Sequence, residues 1–238
     1  MPLFLKLYLA HLIADFVLQF DELYRLKVRS RWGHILHVFI HFLISCALAA
    51  PYLGYRSVEL FIVSVTLIHY IQDHIKYRAQ KDRHKMFAAF VIDQILHLLV
   101  ISTVFVLPES RLTLGIPEHA FLDALYRNPY WTKLSILFIL ATFGGSYLLH
   151  AFKRAYFENT RPDYGITRLE MSHDLVERSV VAFGILAAPN ALWLSALPLV
   201  GVLRLPFLQT RNWTDFILSL TYAAFLGWIF KIFLGFPC

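Results

Sequence analysis

Four pairs of ionisable residues at i,i+4 spacing, His11/Asp15, His37/His41, His69/Asp73 and Asp93/His97, lie inside segments apolar enough to be membrane helices. A charged side chain at bilayer depth costs about 2.5–3.5 kcal/mol even on translocon-insertion scales. Three aspartates and five histidines so placed must compensate one another, and a shared ligand does so most economically. The fold must therefore bring these helices together.

The surrounding composition agrees. The chain has 238 residues, of which 58% are hydrophobic and 16% charged, outside the balance of a soluble globular domain. The reading is an all-α, polytopic membrane helix bundle. A net charge of +6 raises the question of nucleic acid, but a nucleic-acid binder presents a basic face on a soluble fold. Here lysine and arginine gather between apolar segments, where membrane topology accounts for them, so no nucleic-acid partner is expected. Two cysteines, Cys46 and Cys238, make no disulfide framework. Asp15 would interrupt the apolar region of a signal peptide, so the first segment reads as retained.

Apolar stretches long enough to cross a hydrocarbon core of about 30 Å fall near 3–20, 34–50, 58–77, 87–107, 132–152, 179–201 and 214–236. They predict about seven transmembrane helices. The connections 20–33, 76–86 and 153–178 are rich in Lys and Arg, whereas the intervening ones are poor. By the positive-inside rule the N-terminus is outside and the C-terminus inside. In that orientation all four pairs fall at one depth, near the cytoplasmic face. Residues 1–107 then form a four-helix metal-site module, and 108–238 supply the C-terminal membrane helices and their loops.

Residues four apart share a helix face, so each pair can grip one ion with both side chains. Four such helices make a bundle-core site of the kind seen in dinuclear carboxylate proteins. The expected ligands are His11, Asp15, His37, His41, His69, Asp73, Asp93 and His97, and eight ligands suit two metals. Imidazole-rich ligation favours zinc or iron over manganese as the divalent metal. Such an ion activates water and polarises a phosphoryl or acyl oxygen, with Asp15 or Asp73 as the catalytic carboxylate, bridging or acting as base. Gln19, His34 and Gln94 stand where they can support ligands or bond a substrate, and Lys27 and Lys76 where they can meet an anionic head group. In SHDLVERSV, Glu177 and Arg178 read as structural. The chain holds no Walker loop, dinucleotide fingerprint or Cys-x-x-Cys metal pair, which argues against ATP-driven or NAD-dependent work.

At HLIADFVLQ, the following Lys27, HILHVFIH, HYIQDHIK and DQILH, the chain resembles the bacterial membrane proteins grouped as domain of unknown function 3307. The resemblance covers roughly residues 5–100, with LVER at 175–178 as a further feature. Its motif positions are His11, Asp15, Gln19, Lys27, His37, His41, His69, Asp73, Lys76, Asp93, Gln94 and His97. It implies a multi-pass protein of the bacterial inner (cytoplasmic) membrane and supplies no activity. In helix-borne His/Asp pairs alone the chain is also similar to membrane-bound predicted metal-dependent hydrolases. The expected function is hydrolysis of a lipid or lipid-linked phosphate or ester, with the bilayer and an anionic lipid as partners. A metal-ion or proton-coupled transporter and a non-catalytic, metal-stabilised membrane scaffold are the alternatives.

Overall fold

The computed structural model describes residues 2–19, 21–79, 83–116, 119–156, 168–187 and 213–235, and among these there is no strand. The helices are α1 (Pro2–Leu12), which continues as a π-helical turn over Ile13–Val17, α2 (Asp21–Arg29), α3 (Arg31–Leu48), α4 (Arg56–Ala79) and α5 (Arg83–Ser102). They are followed by α6 (Ala120–Arg127), α7 (Pro129–Ile139) with a π-helical turn over Leu140–Gly144, α8 (Gly145–Tyr156), α9 (Arg168–Ala187) and α10 (Trp213–Leu234). The chain divides into two compact units. One is Met1–Ile136 with Arg154–Glu158, and the other is Leu137–Lys153 with Asn159–Cys238.

Four described helical stretches are long and apolar enough to cross a membrane: Arg31–Leu48, Phe87–Val106, Pro129–Tyr156 and Thr214–Leu234. A fifth is added if Pro2–Val17 and Glu22–Arg29, bent by 94°, count as one broken span. These correspond to five of the expected segments. The sixth, 58–77, forms the 24-residue α4, long enough at 1.5 Å per residue but lowered in average apolarity by His69, Gln72, Asp73 and His74. The seventh, 179–201, is described only to Ala187, and the remainder lies outside the described residues.

In the first unit the distribution of polarity is inverted. On α4 the exposed stripe is Leu60, Val63, Leu67, Ile71 and Ile75, whereas the buried stripe is Val58, Ile62, His69 and Asp73. On α3, Ile35, Leu36, Phe39 and Leu43 face outward while His34, His37 and His41 are buried. Large exposed apolar areas of this kind are uncommon on soluble monomers. The buried stripe of α4 changes character along its length, and so does the whole unit. At one end Leu3, Leu7, Ala49, Tyr52, Val58, Ile62, Ile101 and Val104 form an apolar core; at the other, histidines, aspartates and Lys27 are buried among a few apolar side chains such as Phe16 and Leu23.

The apolar end is closed by residues 103–116 and 119–132. Tyr52 donates to the Leu112 carbonyl at 2.7 Å and Tyr126 to that of Leu48 at 2.6 Å. Lys6, buried within α1, donates to Thr132 Oγ1 at 2.9 Å and stands 4.0 Å from the centroid of the Tyr126 ring. A cation over an aromatic face and beside a hydroxyl is partly compensated for its lost water. The segment 108–131 is therefore more than the loop its prolines predict: it contains a 3-10 turn over Pro108–Arg111 and helix α6.

The 20–33 connection likewise folds further than its charge predicts. Helix α2 turns Leu23 and Lys27, one helical turn apart, inward and leaves Tyr24, Arg25, Leu26, Val28 and Arg29 exposed. Ser30 caps α3, its Oγ accepting from Gly33 N–H at 2.9 Å. A Cβ on Gly33 would stand 2.2 Å from the Leu26 carbonyl oxygen, so only glycine lets α2 approach α3 this closely.

The second unit uses a π-turn as an acceptor site. Widening the helix at Leu140–Gly144 opens carbonyls that an α-helix would use internally. Tyr222 donates to the Leu140 carbonyl at 2.8 Å, and buried Arg178 donates to that of Thr142 at 3.0 Å. Arg178 also meets Ser146 at 2.8 Å, Ser219 at 3.0 Å and Asp174 at 2.9 Å. It is structural, as its sequence context predicts, with Asp174 as a carboxylate partner.

Substituting Gly33→Ala overpacks the α2–α3 crossing and is expected to cost about 1–3 kcal/mol, read as a lowered unfolding midpoint in detergent. An unchanged midpoint would contradict the close approach of these helices.

Candidate metal centre

Asp15 is the hub of the polar end. It sits on the π-turn that follows α1, where the Leu18 N–H bonds back to the Ile13 carbonyl at 2.9 Å. Its Oδ1 lies 2.9 Å from His41 Nε2, 3.2 Å from His37 Nε2 and 3.8 Å from His69 Nε2. His37 and His69 approach each other through Nε2 at 3.3 Å. These spacings bracket about 3.3 Å, the edge of a tetrahedron whose metal–ligand bonds are about 2.0–2.1 Å. Asp15, His37, His41 and His69, all buried, can therefore hold a metal ion. The donor set, one carboxylate and three imidazoles, is one that transition metals accept.

A second metal-competent group, His69, Asp73 and His97, overlaps the first at His69. Asp73 Oδ2 is 3.4 Å from His69 Nε2 and 3.7 Å from the Nε2 atoms of His37 and His34. On the same oxygen, buried Lys27 makes an ion pair at 2.8 Å while donating to Gln19 Oε1 at 2.9 Å. His97 places its Nδ1 2.7 Å from the Asp93 backbone carbonyl. Donation there fixes the tautomer and turns the Nε2 lone pair inward, as backbone carbonyls do for many metal-binding histidines.

His11 joins the cluster through its ring, 5.0 Å from that of His97 and 5.4 Å from that of His41, with Nε2 3.6 Å from Asp15 Oδ2. Buried Nε2 atoms of His11 and His97 and Nδ1 atoms of His37 and His69 have no hydrogen-bond partner. Leaving such atoms unsatisfied costs about 1–3 kcal/mol each, and the two orphaned Nε2 atoms, on His11 and His97 that line one cavity, favour a site built to receive something. A cavity of ≈ 20 Å³ adjoins His11, His41, His69, Gln72 and His97, with room for about one water. The rest of its lining is mostly apolar, with Leu7, Phe61, Ile62, Val65 and Ile101 beside Ser45 and Thr66.

Of the eight ligands expected from sequence, seven therefore lie in one buried cluster with their side chains within reach of one another. Six of the seven belong to a metal-competent group, His11 to neither; Asp93 is beside the cluster and also in neither group. Its carboxylate meets Lys76 Nζ at 2.6 Å and Gln94 Nε2 at 3.3 Å, and lies 3.6 Å from His97 Nδ1. Gln94 also reaches Asp15 Oδ2 at 3.5 Å. His34 stacks on Tyr70 at 4.3 Å. Sequence reasoning aimed Lys27 and Lys76 at a substrate; in the structure their ammonium groups are taken up by Asp73 and Asp93. The signal that could have found these pairs is charge balance, because three carboxylates among apolar helices need cations nearby.

The family model described as "Protein of unknown function (DUF3307)" matches residues 3–121. The chain belongs to that family, and every residue of the cluster lies within the matched stretch. No curated protein and no solved structure matches the chain.

Removing Lys27 while keeping Asp73 strands a buried carboxylate. Lys27→Met is expected to destabilise the protein by about 3–5 kcal/mol, and Lys27→Met/Asp73→Asn to recover most of that loss. Unfolding in detergent of both variants checks this; equal losses in the two would contradict the pairing.

Proposed function

We propose that this chain is a bacterial inner-membrane protein that uses a divalent metal, zinc or iron in preference to manganese, to hydrolyse a lipid or lipid-linked phosphate or ester. The observation that carries the reading is the buried group Asp15, His37, His41 and His69, set inside helices whose outward faces are apolar. A polar interior inside an apolar exterior is what a bilayer demands. About seven spans, with the N-terminus outside and the C-terminus inside, remain the topology that the loop charges favour. Residues 1–107 are the module that carries the site. The likeness of the His/Asp pairs to membrane-bound predicted metal-dependent hydrolases points the same way, by analogy.

A bound divalent ion would supply Lewis acidity and a water of lowered pKa. The residues do the rest. Asp15, His37, His41 and His69 hold the ion, and Asp73, within 3.4–3.7 Å of two of those imidazole nitrogens, is placed to take a proton from a nearby water. His97 offers an inward Nε2 acceptor beside the same cavity. Gln19 and Gln94, already bonded to Lys27 and Asp15, hold those two buried groups in place. The apolar lining on the far side of the cavity keeps bulk water from the site.

A carrier is the second reading, and what favours it is the overlap of the two metal-competent groups at His69, which would let an ion pass from one to the other. Purified protein, reconstituted in vesicles of mixed phospholipid and polyprenyl phosphate, distinguishes the two. The hydrolase reading predicts release of phosphate, head group or acyl chain that chelation abolishes, metal restores and His37→Ala lowers at least about 100-fold. Metal uptake into the vesicles without lipid turnover would replace it with the carrier.

A further inference from the structure

We infer that the cluster is a single-ion centre in which Lys27 and Lys76 occupy the place of a second metal. The inference rests on the metal-site reading above and settles how many ions that site takes. Eight ionisable groups on four helices invite two ions. The contacts among them divide the eight differently.

His69 decides the ligand count. A neutral imidazole has one lone pair to give, and the His69 Nε2 that lies 3.3 Å from His37 Nε2 and 3.8 Å from Asp15 Oδ1 is also the atom 3.4 Å from Asp73 Oδ2. It can complete one group or the other. Spent on Asp15, His37 and His41, it gives four donors at near-tetrahedral spacing. The remainder of the second metal-competent group, Asp73 and His97, offers two, His11 belonging to neither group with its Nε2 beside Asp15 Oδ2 at 3.6 Å, and Asp73 is already fixed by Lys27 at 2.8 Å. Lys27 is itself steadied by Gln19 at 2.9 Å, so its ammonium is bound from two sides. Asp93 is fixed in the same way by Lys76 at 2.6 Å.

Charge leads to the same count. Among the described residues of the cluster, three carboxylates stand against two ammonium groups and leave one net negative charge. One divalent ion with one hydroxide brings that interior to neutrality; two ions with one hydroxide leave it two charges positive. Uncompensated charge away from water is costly. The lysines thus do the electrostatic work of a second cation without competing for the imidazoles, and hold Asp73 and Asp93 outside the ligand sphere.

Metal per chain, measured by mass spectrometry on folded protein purified without a His-tag or chelator and loaded with zinc, tests this. Wild type should hold about one ion per chain, Asp15→Asn should retain at most about a tenth of it, and Asp73→Asn should keep it, a loss in the latter being at most that of an outer-sphere partner. About two ions per chain in wild type would overturn the inference while leaving the metal site standing, as would Asp73→Asn losing its ion as completely as Asp15→Asn. No ion in wild type would overturn the metal-site reading itself, and the inference with it. The wild-type count decides even if a variant fails to fold.

Discussion

The buried carboxylate of Asp15 is the interaction on which the first unit depends. Its Oδ1 draws His37 and His41 from α3 and His69 from α4 to within 3.8 Å, and its Oδ2 faces His11 and Gln94. An aspartate so enclosed is stable only if its partners supply positive charge or strong donors. Three separate helices answer that requirement. The π-turn under Asp15 fits the same need, since an extra residue in the last helical turn redirects a side chain.

The rest of the unit follows from putting polar groups inside and apolar groups outside. Helices α3 and α4 carry two stripes of opposite character, and the buried stripe of α4 itself turns from apolar to polar along its length. The apolar half packs as an ordinary core around Tyr52 and Val58. The polar half cannot pack that way and is held instead by ion pairs, Lys27 with Asp73 and Lys76 with Asp93. The first of these pairs explains α2. A short helix with apolar and basic residues exposed together has an interfacial pattern, and its one buried lysine ties it to the site.

Much of this was legible in the sequence because i,i+4 spacing is a property of the helix and survives whatever the bundle does. The pairs His11/Asp15, His37/His41 and His69/Asp73 could be placed on shared faces, and the structure brings those faces together in one cluster. Asp93 shows the limit. Spacing put it on the face of His97, but which group a carboxylate meets depends on its neighbour across the bundle, and that neighbour is Lys76. The structure of 20–33 was hidden because high charge reads as loop, although Leu23 and Lys27 at i,i+4 already marked an inward face. The π-turns at Asp15 and Thr142 leave no composition signal at all. Nor does Lys6, whose partners Thr132 and Tyr126 lie more than a hundred residues away in the chain.

X-ray absorption at the edge of the metal the purified protein retains reads the centre most directly. The account predicts a first shell of about five nitrogen and oxygen scatterers near 2.0–2.2 Å, four from the protein and one from water, with the multiple scattering of three imidazoles, and no second metal at the roughly 3.5–4 Å of a dinuclear pair. A six-oxygen shell, a metal–metal vector, or no metal retained by folded protein would contradict it.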